Sequence, residues 1–129
     1  IYRMLYVNEI LGAFFCLFSV VLGALTSHYL KNIISDSAIQ SFEVGVRYLM
    51  YHGLVLMILP QFYLDINPLV FQFFVAGTCI FSFSIFLLSI KSLTETNLNW
   101  IGRLTPVGGG ILIIAWIFLL VELIVPFKN

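Results

Sequence analysis

The sequence predicts an all-α integral membrane four-helix bundle, and three observations carry that expectation. Four long apolar runs, at 9–29, 46–64, 69–90 and 107–126, fill most of the 129 residues. Six basic and six acidic residues make up only 9% of the chain, against about 25% in soluble domains. Mean hydropathy is +1.08. A spanning helix needs roughly 20 mainly apolar residues to cross ~30 Å of hydrocarbon at 1.5 Å per residue, and every run is long enough.

The first helix is expected over about 6–30. Its apolar run is too long for a signal-peptide core and has no small-residue cleavage site at its end, so it is expected to be a retained span. A start at Ile1 rather than Met is expected to reflect a few residues missing from the front. A polar loop follows, in which Ser35 and Ser37 are candidate N-caps because a hydroxyl accepts from an orphan helical N–H. The second helix, about 38–64, mixes polar and apolar residues up to Arg47 and then turns apolar, so its first turns should lie at the interface. Pro68 suits the first turn of the third helix, about 68–93, where its missing N–H needs no partner. The longest polar connection follows, with Trp100 fitted to the headgroup boundary. Thr105 and Pro106 repeat the start-of-helix chemistry for the fourth helix, about 106–126.

Four spans and short loops consume the chain as one domain, 1–129, and leave no room for an extramembrane catalytic domain. A formal net charge of zero provides no basic surface of the kind nucleic acid demands. Lys31, Arg47, Lys91 and Arg103 fall on the face bearing the first and third loops, against Arg3 and Lys128 on the face of the termini. The inside-positive tendency then favours cytoplasmic loops and outward termini.

Chemistry within the spans is sparse. Cys16 and Cys79 sit among apolar neighbours without ligand spacing and read as small buried hydrophobes. As paired haem ligands, His28 and His52 would disagree in depth by about 10 Å, and two histidines are too few for structural zinc. No cofactor and no metal are expected. Glu43 lies four residues before Arg47 in the favourable order for a helical ion pair. At roughly 100° per residue, Glu43, Arg47 and Tyr51 fall near 0–80°, whereas Gly45, Tyr48 and His52 cluster near 140–200°. The second helix thus carries two polar faces, read as an interfacial ion pair and a histidine satisfied by another helix. Ser82 and Ser84 are placed to bond across helices. Gly23, Gly108 and Gly109 are expected at close helix contacts, since absent Cβ atoms let backbones approach. Gly108 to Gly110 is no phosphate loop, having neither the following Lys nor a preceding strand. Glu9 and Glu122 lie near the opposite face, where Glu9 is too shallow for the buried carboxylate of a proton-coupled multidrug transporter.

Several separated stretches match one pattern: Gly23-Ala24, His28, Leu30-Lys31, Phe42-Glu43, Val46-Arg47-Tyr48, Met50-Tyr51-His52, Phe81-Ser82 with Ser84, Thr105-Pro106, Gly108-Gly109 and Trp116. In that order they resemble the small membrane proteins typified by bacterial YgdD and YwdK, with eukaryotic transmembrane protein 256 as a relative. The chain departs from the pattern at Thr26 and Ser27, where the family resembles a Gly-Ala pair, at Leu49, where a Gln is usual, and at Phe83, where a Gly is usual. The resemblance implies a four-span bundle and no established activity. It concentrates His28, Lys31, Glu43, Arg47, Tyr51, His52, Ser82 and Thr105 toward the loop-bearing face, read as a structural polar network, because each polar group in lipid needs a protein or water partner.

The expected function is a non-catalytic accessory or scaffold subunit that packs Phe-rich flanks against other integral-membrane subunits in the lipid bilayer. A small homo-oligomeric transporter or proton-coupled carrier is the alternative, with a membrane enzyme or quinone-binding protein third. The expected location is the bacterial inner membrane, ahead of the mitochondrial inner membrane.

Overall fold

A computed structural model describes residues 6–62, 65–94 and 96–125. Its helices are α1 (Val7–His28), α2 (Asp36–Ile58), α3 (Pro68–Ser89) and α4 (Leu104–Ile124). The architecture is all-α, and each helix falls in a segment long and apolar enough to cross a membrane. The expected helix ends at Leu64 and Pro126, and the charges Arg3 and Lys128, lie outside the described residues.

Local chemistry explains where the helices start and stop. Ser35 caps α2, its Oγ accepting from the Ala38 N–H at 3.2 Å, and Asn67 caps α3 by accepting from the Leu69 N–H at 3.0 Å ahead of Pro68. Helix α2 ends at Ile58, well before the expected 64, and tightens into a 3₁₀ turn over Leu59–Gln61. Pro60 is the cause, since proline cannot donate to the helical ladder and its ring crowds the preceding turn. Helix α3 stops at Ser89 rather than near 93 and gives way to a 3₁₀ turn at Lys91–Leu93. Helix α4 begins at Leu104, continuing a 3₁₀ segment over Asn99–Arg103. Thr105 is therefore inside the helix rather than its cap, and Pro106 still falls in the first turn, where its lack of N–H is harmless.

Packing follows chain order: α1 against α2, α2 against α3 and α3 against α4. Helix α3 is the most enclosed, with Val70, Phe74, Thr78 and Ser82 fully buried along it. Helices α1 and α4 are flanks. Ile10, Phe14 and Leu17 on α1 and Ile113, Ile117 and Leu120 on α4 face outward, the arrangement required when the surrounding solvent is hydrocarbon.

The closest approaches are set by glycines. A Cβ at Gly12 would lie 2.5 Å from the Gly53 carbonyl oxygen, and one at Gly53 would lie 2.8 Å from that of Gly12, so α1 and α2 meet backbone to backbone. A Cβ at Gly108 would run into the backbone nitrogen of Phe81, which fixes the α3–α4 contact. At Gly109 and Gly23 the nearest atoms would be at ordinary contact distance, 3.6 Å, and the space beside Gly110 is open.

Candidate functional site

His52, Ser82 and Ser84, three of the buried polar groups of the spans, lie along the seam where α2, α3 and α4 meet. His52 on α2 is 3% exposed. Its Nε2 receives the indole N–H of Trp116 from α4 at 3.1 Å, and its Nδ1 lies 2.8 Å from the Tyr48 carbonyl oxygen. Indole nitrogen only donates and a carbonyl only accepts, so Nε2 must carry the lone pair and Nδ1 the proton. The ring is the neutral Nδ1–H tautomer, with both nitrogens occupied. Aromatic rings wall this bond in: Phe74 lies 5.7 Å from the His52 ring and 5.0 Å, nearly perpendicular, from that of Trp116.

Toward the loop-bearing face, fully buried Ser82 donates from α3 to the Gly45 carbonyl of α2 at 3.0 Å. Gly45 permits this, because a Cβ there would stand 2.6 Å from the Phe86 ring. Ser84 donates to the Phe81 carbonyl at 2.9 Å and lies 2.7 Å from the Thr105 hydroxyl. With the single Ser84 proton on that carbonyl, Thr105 is the donor and links α4 to α3. Ser19 ties α1 to α2 by donating to the Val46 carbonyl at 2.8 Å. A bond of this kind between helices in lipid contributes about 1 kcal/mol.

The remaining residues of the expected network are not drawn into it. His28, Lys31, Glu43, Arg47 and Tyr51 are all exposed, and among the described residues none of the four charged or imidazole groups has a hydrogen bond or ion pair. Glu43 and Arg47 do share a helix face, as their spacing requires, but it is the outer one. Gln40, Glu43, Arg47, Tyr51, Leu54 and Ile58 form a stripe that no helix of the described bundle covers. His52 also departs from the expected grouping: it lies sixteen residues beyond the start of α2, about 24 Å along the axis, beneath the loop-face hydroxyls.

Two buried oxygens have no partner among the described residues, Thr78 Oγ1 and Glu9 Oε1. The register set by Gly45 and Ser82 carries Thr78 to the level of Leu49, a fully buried side chain without hydrogen-bonding capacity. Glu9 uses its other oxygen to accept from Gln61 at 3.4 Å, at the face of the termini. Cys16 and Cys79 are free thiols, and no metal-holding group of His, Cys, Asp and Glu occurs among the described residues.

Sequence reasoning missed Ser19, the Trp116 donor and the Gly12–Gly53 contact. A signal was present for the first and last: Gly12, Cys16, Ser19 and Gly23 form a stripe of small residues at helical spacing along one face of α1, the pattern that admits a close neighbour.

Comparison with known proteins adds a family. The description "Protein of unknown function (DUF423)" matches residues 22–109. The chain is similar to the UPF0382 membrane protein YwdK of Bacillus subtilis, 36% identical over 119 residues that cover 87% of this chain and 91% of that one. It is also similar to the UPF0382 membrane protein SAB0533 of Staphylococcus aureus, 34% identical over 116 residues covering 87% and 90%. A third relative, SH2409 of Staphylococcus haemolyticus, is 33% identical over 117 residues, covering 88% and 91%. No solved structure matches significantly. Four spans and bacterial membrane-protein relatives make this an integral membrane protein, consistent with the bacterial inner membrane.

Proposed function

We infer, for this chain that belongs to the DUF423 family, a non-catalytic role as an accessory or scaffold subunit of a larger integral-membrane assembly. One observation carries the reading: on α2, in a segment long and apolar enough to cross a membrane, Glu43 and Arg47 project from the outside of the bundle. They lie seven and eleven residues beyond the start of α2, about 10 and 16 Å along the helix. Charged side chains within a span almost always face a bundle interior or an aqueous cavity, or pair with one another. An exposed pair at this level calls for a second protein surface that closes over it. The lower half of the same stripe, aromatic at Tyr51 and aliphatic at Leu54 and Ile58, continues that surface toward the opposite face.

The fixed interior supports the same reading. The buried His52, Ser82 and Ser84 side chains are committed to bonds that hold helices together, which suits a packing element better than a carrier that must change its polar contacts during each cycle.

Native mass measurement after extraction in mild detergent tests this role. The chain is expected to travel with a different transmembrane protein at fixed stoichiometry, and the double change Glu43→Gln, Arg47→Gln is expected to release it. Bundle stability in the released variant should shift by no more than ~1 kcal/mol, since both side chains are exposed and make no ion pair among the described residues of the bundle. Recovery of the chain alone under the mildest extraction contradicts the subunit role. Solute movement by the purified chain in vesicles, abolished by Glu43→Gln without unfolding, would establish the carrier instead.

A further inference from the structure

The seam between α2, α3 and α4 is closed at one level and open at another. His52, Phe74 and Trp116 close it. Eleven residues along each helix toward the loop-bearing face stand Ser41, Ile85 and Thr105, on nearly the same helical faces and about 16 Å away. These three line a cleft of about 710 Å³, within the ~300–1,000 Å³ range of small-ligand sites.

Its lining changes character with depth. Ser35, Lys91 and Ser92 stand at the rim, in the loops that join helix ends. Val44, eight residues into α2, and Ile85, one turn below the end of α3, form the lower wall. Among the described residues, Lys91 is the one formally charged residue lining the cleft. Cationic and hydroxyl donors at the rim thus stand above the Val44 and Ile85 side chains, about 6–12 Å along their helices from the loop-face ends, at the face where exposed Trp100 fits the headgroup region. An occupant must present a negative group with hydrogen-bond acceptors at the interface and hydrocarbon below it.

The geometry points to a binding site for an anionic phospholipid, with the phosphodiester at Lys91 and the neighbouring hydroxyls and the upper acyl chain lying along Val44 and Ile85. This goes beyond the accessory role and does not depend on it, because the cleft and the outer stripe of α2 are different surfaces. The phosphate supplies acceptors for the ammonium and hydroxyl donors, and the apolar wall distinguishes a lipid from a free anion.

The test is native mass spectrometry of the full chain in detergent, titrated with dioctanoyl phosphatidylglycerol, dioctanoyl phosphatidylcholine or inorganic phosphate. One phosphatidylglycerol per chain is expected, bound about tenfold more tightly than phosphatidylcholine. Lys91→Gln should remove most of that preference, weakening phosphatidylglycerol more than phosphatidylcholine, whose phosphodiester meets the same ammonium but whose choline offsets its charge. Lys31→Gln, outside the cleft on the same face, should have no effect. Ser41→Leu, which fills the cleft from an exposed helix position, should exclude both lipids while the helical fold persists. Equal binding of the two lipids, or equal losses from Lys31→Gln and Lys91→Gln, would overturn the site in favour of general surface attraction. Displacement of phosphatidylglycerol by millimolar inorganic phosphate would assign the cleft to a free anion instead.

Discussion

Gly108→Leu is expected to break the α3–α4 hairpin, with a loss of at least ~3 kcal/mol, the upper end of overpacking effects. The reason is the identity of the obstructing atoms. A Cβ at Gly108 meets the backbone nitrogen and Cα of Phe81 rather than the end of a movable side chain, so relief requires the helices to separate. Separation would also stretch the Ser84–Thr105 contact one turn away. Gly110→Ala is the internal control. Nothing lies within 4 Å of that position, so the change should be neutral or stabilise the helix by up to ~1 kcal/mol through propensity. Thermal melts of both variants in one detergent check the contrast, and equal melting temperatures would refute the contact.

The second large effect is expected at His52. His52→Ala removes a nearly fully buried ring, leaves a cavity among Phe74, Tyr48 and Trp116, and strands the indole donor. Cavity and lost hydrogen bond together should lower stability by about 3 kcal/mol. Trp116→Phe keeps much of the packing and removes only the donor, so it should cost less, about 1–2 kcal/mol. If the bond is real, the double variant will fall short of the sum of the single losses by about 1 kcal/mol. Strict additivity in the double-mutant cycle would show that the two residues contribute separately.

Hydropathy made the four spans legible, because lipid imposes length and apolarity on each helix independently of its neighbours. The helix limits shifted where local chemistry intervened: Pro60 stops α2 at Ile58, and a 3₁₀ segment runs into α4 ahead of Thr105. Rotational setting was less legible. The i,i+4 spacing put Glu43 and Arg47 on a common face, but spacing is the same whether that face turns inward or outward, and here it turns outward. Thr105 shows the same ambiguity from the other side. Its hydroxyl has the chemistry of a helix cap, yet the α3–α4 approach at Gly108 brings Ser84 within 2.7 Å and a cross-helix bond results. The seam itself depends on which residues of three helices arrive at one depth, information held in packing and not in any single segment. Phe74, His52 and Trp116 are scattered along the chain and meet only because Gly45 and Gly108 let α3 approach both neighbours closely.

The central claim is that His52, Ser82 and Ser84 are fixed in bonds that join neighbouring helices, and the His52 ring tests it most directly. Nitrogen-15 NMR of the labelled chain in lipid nanodiscs reads the protonation of each ring nitrogen and, through hydrogen-bond coupling, the donor facing it. The arrangement predicts a protonated Nδ1 and an unprotonated Nε2 coupled to the Trp116 indole N–H, in one slowly exchanging species. A protonated Nε2, or a ring exchanging protons rapidly with water, would contradict the account and make His52 a mobile proton carrier.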